Sequence, residues 1–235
     1  MRSAVYPSLR NDYCSARWLS IMQRTRIKIC GLTRVIDVCK ACELGADAVG
    51  FVCYPQSPRF VDSELLAQLA AAVAPFVTPV LLFVDADASQ VRRALQLVPN
   101  AMLQFHGHED HAYCQSFGRP YLRAAAMGED IDLLEFERQF PSAAAVLADA
   151  PRAGSGGTGH AFDWKRLPAP TARKLPLVLA GGLDAGNVGA AIGLVRPHAV
   201  DVSSGVEETH GIKSETRMRS FFAAVLRADA QSGAQ

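Results

Sequence analysis

The sequence predicts an α/β protein that consists of a single (β/α)₈ TIM barrel, and three observations support this fold class. Eight short runs of apolar and β-branched residues alternate with segments of helical periodicity between residues 26 and 226. A chain of 235 residues with 49% hydrophobic residues is long enough to bury one large core. No GxGxxG motif opens a helix after a strand, which weighs against a dinucleotide-binding sheet and favours the closed barrel.

Eight strands are predicted where a short apolar run is bounded by polar or turn-forming residues. In chain order they are Arg26–Cys30, Ala48–Val52, Pro79–Val84, Met102–Phe105, Pro120–Ala124, Ala145–Ala148, Leu177–Ala180 and Ala199–Val202. Such barrels carry their chemistry at the carboxyl ends of the strands. The residues that end these runs are therefore the candidates for a functional site.

The helices between the strands are predicted from apolar residues that recur three or four positions apart. They are Val35–Leu44, Ser63–Val73, Ala88–Leu97, Asp110–Phe117, Asp130–Phe140 and Asn187–Leu194, followed by a last helix over Glu215–Leu226. We expect only a short helix near Phe162–Leu167, because the connection after the sixth strand is irregular and rich in glycine. Ser63 stands before an apolar stripe and is expected to cap the second helix.

The domain boundaries follow from where this alternation begins and ends. Residues 26–230 form the predicted catalytic barrel, and residues 231–235 form a C-terminal tail. Residues 1–25 show no sustained period, so we expect an N-terminal extension that is disordered or that reflects a wrongly assigned start upstream of Met22. This segment also lacks the apolar run and cleavage pattern of a signal peptide.

The composition argues against several classes of partner. With 24 basic and 23 acidic residues, the chain has no electrostatic footprint for nucleic acid or an acidic membrane surface. Its apolar runs are too short to span a bilayer. The six cysteines include one CxxC pair, Cys39 and Cys42, inside a predicted helix, which indicates reduced thiols in a cytoplasmic protein rather than a zinc site. The sequence alone does not locate an apolar surface patch, so it does not indicate an oligomeric state, and we take a monomer as the default expectation.

Glycines and serines at the ends of the last two strands predict a phosphate site. Gly181 and Gly182 follow the seventh strand, and Ser203 and Ser204 follow the eighth. The loops after these strands often bind phosphate in TIM barrels, because backbone N–H groups and a helix N-terminus meet the anion there. The alternative is that the glycines serve only the turns.

A further glycine-rich segment follows the sixth strand and contains Gly156, Gly157 and Gly159. It lacks the GK[ST] ending of a nucleotide-binding P-loop. We interpret it as a loop that covers a substrate or reaches its phosphate.

Cys30 ends the first predicted strand, and Asp149 directly follows the sixth. A barrel places these two positions on opposite sides of its mouth. A thiolate and a carboxylic acid that face one pocket form a base and an acid able to move protons along a sugar. The alternatives are a cysteine that only packs in the core and an aspartate that caps a helix or pairs with a cation.

Lys28 lies two residues before Cys30, so both side chains point into the barrel. Asp201 occupies the matching place before Ser203 on the eighth strand, which neighbours the first strand in a closed barrel. Because a buried lysine needs a partner, we predict a buried Lys28–Asp201 pair, although each residue alone could face the substrate instead.

Arg59 and His106 are two further candidates for substrate binding. Arg59 lies in a proline-stiffened loop after the second strand, where a guanidinium could bind a carboxylate through two hydrogen bonds. The alternative is a solvated surface arginine. His106 opens the segment HGHEDH, which looks like a metal site, yet no other histidine falls at a strand end. We therefore expect no metal and interpret His106 as a residue that lines the pocket.

Five motifs resemble those of the phosphoribosylanthranilate isomerases, and they occur in that family's order. RIKICGLTR at 26–34 resembles the first strand of the family, and GADAVGF at 45–51 with YPQSPR at 54–59 resembles its second-strand motif. LQFHG at 103–107 is similar to LQLHG, GGTGHAFDW at 156–164 to GGTGxxFDW, and DVSSGVE at 201–207 to the family's DVSSGVE. The matches extend from Arg26 to near Val225, so they cover almost all of the chain outside the N-terminal segment.

The resemblance implies an Amadori isomerisation of N-(5-phosphoribosyl)anthranilate, a phosphosugar, in tryptophan biosynthesis, with no cofactor. Cys30 would be the general base and Asp149 the general acid, and Arg59 would hold the anthranilate carboxylate. The glycines of the GGTG and AGGL segments, with Ser203 and Ser204, would hold the ribose phosphate.

Two other functions are weighed against this one. An aminoaldose isomerase of histidine synthesis shares the barrel but typically uses two aspartates and two phosphate sites, whereas the group on the first strand here is Cys30. A phosphate-ligand sensor that kept only the fold would be expected to lack the acid, the base or the carboxylate clamp, and all three residue types are present.

Overall fold

The computed structural model describes residues 24–151 and 162–232. The N-terminal segment up to residue 23 lies outside the described residues, as do Gly156, Gly157 and Gly159 and the last three residues. What the sequence predicts for these segments therefore stays a prediction.

Eight parallel strands close into a barrel in sequence order, with β1 paired to both β2 and β8. The strands are β1 (Arg26–Cys30), β2 (Ala48–Val52), β3 (Thr78–Phe83), β4 (Met102–Phe105), β5 (Tyr121–Ala126), β6 (Ala145–Asp149), β7 (Leu177–Leu179) and β8 (Ala199–Val202). Every predicted strand is present within two residues of its predicted ends, and the TIM barrel is confirmed.

Seven helices pack around the barrel in the described part of the chain. They are α1 (Val35–Glu43), α2 (Ser63–Ala71), α3 (Ala88–Leu97), α4 (His111–Gln115), α5 (Leu133–Gln139), α6 (Val188–Val195) and α7 (Glu215–Ser232). A single 3₁₀ turn, Trp164–Arg166, stands where a short helix was predicted. None of the described helices is long and apolar enough to cross a membrane.

Two details of the predicted helices differ from the structure. The cap of α2 is Asp62 rather than Ser63, because the Asp62 carboxylate accepts a hydrogen bond from the Leu65 amide at 2.9 Å while Ser63 already lies in the first turn. Helix α7 continues to Ser232, beyond the predicted end at Leu226. Its last turns hold the start of the barrel, since Asp229 accepts hydrogen bonds from the amide and hydroxyl of Thr25 at 2.8 and 2.7 Å.

A short antiparallel hairpin follows β8 and was not predicted. Its strands are β9 (Glu207–Thr209) and β10 (Ile212–Lys213). Strands of three and two residues are too short to show the alternation that sequence reading depends on. The Thr33 hydroxyl donates a hydrogen bond to the carbonyl of Gly211 at 2.6 Å, so the hairpin is tied to the connection that leaves β1.

Apolar side chains form an outer layer between strands and helices and an inner layer inside the barrel. The outer layer contains large buried residues such as Ile29, Phe51, Leu81, Phe105 and Val200. The inner layer is lined by smaller residues such as Val80, Ala124, Leu147, Val178 and Ala180. Lys28, Gln104 and Asp201 alternate with outer-layer residues along their strands, so these buried polar side chains point into the barrel.

The aromatic side chain of Phe105 is the centre of the outer layer beside β4. Its ring lies 5.8–6.4 Å from the rings of Phe83, Tyr113, Phe117 and Tyr121, and it has no exposed surface. These edge and stacked contacts fix the strand that ends just before His106.

Truncation of this ring is expected to destabilise the barrel. Phe105→Ala should lower the free energy of unfolding by about 3–5 kcal/mol, because it removes a fully buried ring and leaves a cavity. Urea unfolding followed by circular dichroism measures the change. The matched control is Phe76→Ala, which removes a fully exposed ring and should change the free energy of unfolding by less than about 0.5 kcal/mol. Equal losses in the two variants would contradict the assignment of Phe105 to the core.

Candidate active site

Four candidate residues lie at or just beyond the carboxyl ends of four different strands. Cys30 ends β1, His106 follows β4, Asp149 ends β6 and Ser203 follows β8. In a barrel of parallel strands these ends meet at one mouth. The structure therefore brings these predicted residues to a single rim.

The predicted pair between Lys28 and Asp201 is confirmed. The two residues are register partners on β1 and β8, and the Lys28 ammonium lies 2.9 Å from each carboxylate oxygen of Asp201. Their side chains are only 4% and 8% exposed. Burial acts to lower the pKa of Lys28, but Asp201 and Cys30 outweigh it and raise that pKa, so Lys28 keeps its charge inside the barrel.

Cys30 is buried beside this charge. A Cβ atom at Gly50 would lie 2.8 Å from the Cys30 sulfur and 3.2 Å from Cε of Lys28, so both side chains flank one glycine that has room for no substituent. Burial raises the pKa of the Cys30 thiol above its ordinary value, while the ammonium groups of Lys28 and Lys213 act in the opposite direction. The neutral thiol is therefore the main form of Cys30 near pH 7.

Asp149 is the end of a chain of polar side chains that begins inside the barrel. Its Oδ2 lies 3.1 Å from Nε2 of His106, and its Oδ1 accepts a hydrogen bond from the Ala150 amide at 2.8 Å. On the other side of the imidazole, Nδ1 lies 3.3 Å from the side-chain nitrogen of Gln104. The structure thus places His106 against the predicted acid rather than only on the pocket wall.

Gln104 is almost fully buried, and its Oε1 has no hydrogen-bond partner within the described residues. A half-turn of the amide would present this oxygen to Nδ1 of His106 in place of the nitrogen. The imidazole would then carry its proton on Nδ1 and offer Nε2 as an acceptor. His106 can therefore either donate to an ionised Asp149 or accept from a protonated one.

Arg59 is held by a carboxylate of the protein itself. Its Nε and Nη2 lie 2.8 and 2.6 Å from the two carboxylate oxygens of Glu207, and the side chains are 15% and 3% exposed. Arg59 is therefore not a solvated surface arginine. A Cβ at Gly31 would lie 2.4 Å from Cδ of Arg59 and 3.0 Å from the Ser203 hydroxyl, which places Arg59 at the same rim as the predicted phosphate loop.

Two buried residues of the site were missed by sequence reasoning, Glu207 and Lys213. Burial acts to raise the pKa of Glu207, but Arg59 and Lys213 outweigh it and lower that pKa, so Glu207 is ionised. The Lys213 ammonium lies 2.8 Å from Glu207 and donates to the carbonyl of Cys30 at 2.5 Å. Glu207 is the last residue of the DVSSGVE motif, which was an available signal, whereas Lys213 lies between that motif and the last predicted helix, in no predicted element.

The two predicted phosphate loops are adjacent, and backbone geometry accounts for their glycines in part. Gly181 and Gly182 have positive φ values of 82° and 64°. A Cβ at Gly181 would lie 2.4 Å from the Ala150 nitrogen, so this position requires glycine whatever it binds. Asn187, just before α6, donates to the Gly182 carbonyl at 2.8 Å, and Ser204 opens a 3₁₀ turn after β8.

The other histidines of the HGHEDH segment do not converge with His106. His108 is exposed and pairs with Asp85 at 3.0 Å, and Nδ1 of His111 lies 3.2 Å from the hydroxyl of Tyr121. Over residues 24–151 and 162–232, no three His, Cys, Asp or Glu side chains are grouped so that they could hold a metal ion.

Comparison with known proteins gives a consistent result. The family model described as N-(5'phosphoribosyl)anthranilate (PRA) isomerase matches residues 27–224. The N-(5'-phosphoribosyl)anthranilate isomerase of Leptothrix cholodnii is 54% identical over 209 residues, which are 89% of this chain and 94% of the relative.

Solved structures agree with these matches. The phosphoribosyl anthranilate isomerase of Thermotoga maritima is 34% identical with a TM-score of 0.78, covering 86% of this chain and 99% of that one. A further solved structure is of monomers generated from the dimeric Thermotoga maritima isomerase. A phosphoribosyl anthranilate isomerase in complex with reduced 1-(o-carboxyphenylamino)-1-deoxyribulose 5-phosphate is 32% identical, with a TM-score of 0.72 and coverage of 86% and 99%.

The ionisation of Cys30 is directly measurable. The difference in absorbance at 240 nm between the wild type and Cys30→Ala should reveal a thiolate whose midpoint lies above that of an ordinary cysteine, because burial raises the pKa of this thiol. In Lys28→Met the midpoint should move higher still, since a cation that favours the thiolate is lost. Lys40→Met removes a partly exposed lysine on α1, which pairs with Glu43, and should leave the midpoint unchanged. A wild-type midpoint near pH 7 would contradict the burial argument.

Proposed function

We propose roles for the residues of this site from the premise that the chain belongs to the N-(5'-phosphoribosyl)anthranilate isomerase family. The reaction is the isomerisation of N-(5'-phosphoribosyl)anthranilate to 1-(2-carboxyphenylamino)-1-deoxyribulose 5-phosphate, in tryptophan biosynthesis. In our proposal Cys30 is the general base and Asp149 the general acid. The observation that carries this assignment is that a buried thiol and a hydrogen-bonded carboxyl group end β1 and β6 at the same rim.

The proposed reaction consists of proton transfers alone. Asp149 donates a proton to the ring oxygen of the ribose, the bond from that oxygen to C1 breaks, and a protonated Schiff base forms between C1 and the anthranilate nitrogen. The Cys30 thiolate then removes the proton from C2 and gives an enolamine. Tautomerisation adds a proton at C1 and removes one from the C2 hydroxyl, which yields the ketone and conserves the protons.

Lys28 has a supporting role in this proposal. The thiolate of Cys30 is disfavoured by burial, and the ammonium of Lys28, which Asp201 holds in place, is the largest influence in its favour. Lys28 and Asp201 therefore act through Cys30 rather than on the substrate. When the substrate binds, its C2 proton would meet Cys30, of which only a fraction is in the thiolate form.

The acid must hold a proton until the ring oxygen needs it, and His106 supports this state. When His106 carries its proton on Nδ1, toward the Gln104 oxygen, its Nε2 accepts a hydrogen bond from protonated Asp149. After the proton has left, the other tautomer donates to the carboxylate. His106 in this proposal is a positioning residue for the acid as well as a wall of the pocket.

The two ends of the substrate fit the two remaining groups of residues. Arg59 would hold the anthranilate carboxylate. The backbone of Gly181 and Gly182 with Ser203 and Ser204 would hold the phosphate. Three further glycines, Gly156, Gly157 and Gly159, lie outside the described residues, and their assignment to the phosphate follows from the motif alone.

The rival phosphosugar isomerases of histidine synthesis fit the site less well. They were expected to present an aspartate on the first strand and a second phosphate site. Here β1 ends in Cys30 instead. At the rim, Arg59 follows β2 and pairs with Glu207, which follows β8. The family match is to the isomerases that act on phosphoribosylanthranilate.

We further propose a monomeric protein in the cytoplasm. The described cysteines, Cys30, Cys39, Cys42, Cys53 and Cys114, are free thiols, which suits a reducing compartment. Sedimentation velocity should give one species near 25.2 kDa, and a species of twice that mass that persists on dilution would replace the monomer with a dimer.

The assignment of base and acid is tested by activity. In a fluorescence assay that follows the loss of phosphoribosylanthranilate, wild type should turn over, and Cys30→Ala and Asp149→Ala should each lower kcat by about 10²-fold or more. Cys42→Ala, in α1, and Asp62→Asn, at the cap of α2, are matched controls that remove a thiol and a carboxylate away from the rim. A folded Cys30→Ala or Asp149→Ala protein with wild-type kcat would refute the role of that residue.

A further inference from the structure

The ammonium group of Lys213 is the most highly connected buried charge at the rim. It donates to the carbonyl of Cys30 at 2.5 Å and to the carbonyl of Ser203 at 3.1 Å, and it lies 3.4 Å from the Ser203 hydroxyl. It also binds Oε1 of Glu207 at 2.8 Å. The side chain has no exposed surface, so all these contacts are made away from solvent.

These contacts reach three different parts of the proposed active site. The Cys30 carbonyl is the backbone of the base at the end of β1. The Ser203 carbonyl is the backbone of the phosphate loop at the end of β8. Glu207 occupies the Nε and Nη2 edge of Arg59, so the orientation of the predicted carboxylate clamp depends on the same ammonium.

Lys213 is itself held firmly. Its backbone amide donates to Asp37 at 3.1 Å and its carbonyl accepts from Arg34 at 3.1 Å, which ties β10 to the start of α1. Arg34 and Asp37 also pair with each other at 2.7 Å. The hairpin is therefore fixed beside the β8–β1 seam at which the barrel closes, and Lys213 reaches from the hairpin into the site.

We propose that Lys213 is a positioning residue of the isomerisation, which fixes the base, the phosphate loop and, through Glu207, the carboxylate clamp in one geometry. The inference rests on the proposed roles of Cys30, Ser203 and Arg59. Lys213 touches no reacting atom in this view. A cation with three donors can satisfy acceptors from several segments at once, which neither a neutral side chain nor the planar guanidinium of arginine would reproduce here.

The way in which Glu207 binds Arg59 also orients the guanidinium for a second carboxylate. Glu207 takes one edge of the guanidinium and leaves the edge formed by its two terminal nitrogens for a second carboxylate. Since Glu207 is ionised and buried, it sets the plane of the fork before a substrate arrives. Lys213 offsets the charge of Glu207, so the clamp keeps a positive balance toward a carboxylate ligand.

The test combines kinetics with the binding of two fragments, anthranilate and inorganic phosphate, by calorimetry. Lys213→Met should lower kcat/KM by about 10²-fold, because the base and both binding groups lose their common anchor. It should also raise the dissociation constants of both fragments by about tenfold, the effect of about one lost hydrogen bond at each site. A residue with a merely structural role would lower the melting temperature and leave both dissociation constants unchanged.

Glu207→Gln is the second variant, because it keeps the size of the side chain and is less disruptive than loss of the ammonium. It should raise KM and the dissociation constant of anthranilate by about tenfold and affect phosphate binding less, since Arg59 loses its carboxylate partner whereas Lys213 keeps the carbonyls of Cys30 and Ser203. Arg173→Met is the matched control. Arg173 also binds backbone carbonyls, those of Pro168 and Val195, but at the other end of the barrel, and its loss should change kcat/KM by less than about twofold.

The outcomes separate this inference from the proposed function. Absence of phosphoribosylanthranilate turnover in folded wild type would refute the proposed function, while fragment binding would still test Lys213. Turnover in wild type together with wild-type kcat/KM and fragment binding in folded Lys213→Met would overturn the inference alone. If Lys213→Met does not fold, unchanged KM and anthranilate binding in Glu207→Gln would overturn it equally.

Discussion

The site depends on two buried ammonium groups, one inside a barrel whose interior is otherwise mostly apolar and one at the rim of that barrel. An unpaired buried cation would cost several kcal/mol, so each must have anionic or carbonyl partners that stay in place. Lys28 has both oxygens of Asp201, and Lys213 has Glu207 with two backbone carbonyls. Both lie next to Cys30, and their carboxylate partners come from β8 or from the hairpin that follows it. The seam between β8 and β1 is therefore the most constrained part of the rim.

The opposite side of the rim is built on a chain of hydrogen-bonding side chains without a lysine. It consists of Asp149, His106 and Gln104, and either tautomer of the imidazole can be accommodated in it, so that His106 accepts from a protonated Asp149 or donates to an ionised one. The proposed reaction needs one group that removes a proton and another that donates one. Cys30 lies beside fixed cations that favour its thiolate, and Asp149 lies beside an imidazole that can accept from it or donate to it.

The sequence predicted the repeating parts of this structure well and the irregular parts poorly. Strands and helices have a period, and the pair of Lys28 with Asp201 followed from strand alternation together with barrel closure. The hairpin has no period within its few residues, so Lys213 could not be placed beside Cys30, which precedes it by 183 residues. The partner of Arg59 was missed for a related reason. The loop around Arg59 indicates an arginine that binds a ligand, and nothing in its sequence shows that Glu207 pairs with it in the folded chain.

Buried ion pairs usually contribute little to stability compared with apolar residues of the same size, because desolvation offsets most of the attraction. Their presence at one side of this barrel is therefore better explained by geometry than by stability. Apolar residues at positions 28, 201, 207 and 213 could fill the same space, but they would leave the carbonyls of Cys30 and Ser203 without donors and the guanidinium of Arg59 without a fixed plane. The charges hold the backbone and the side chains that a substrate with a carboxylate at one end and a phosphate at the other must meet together.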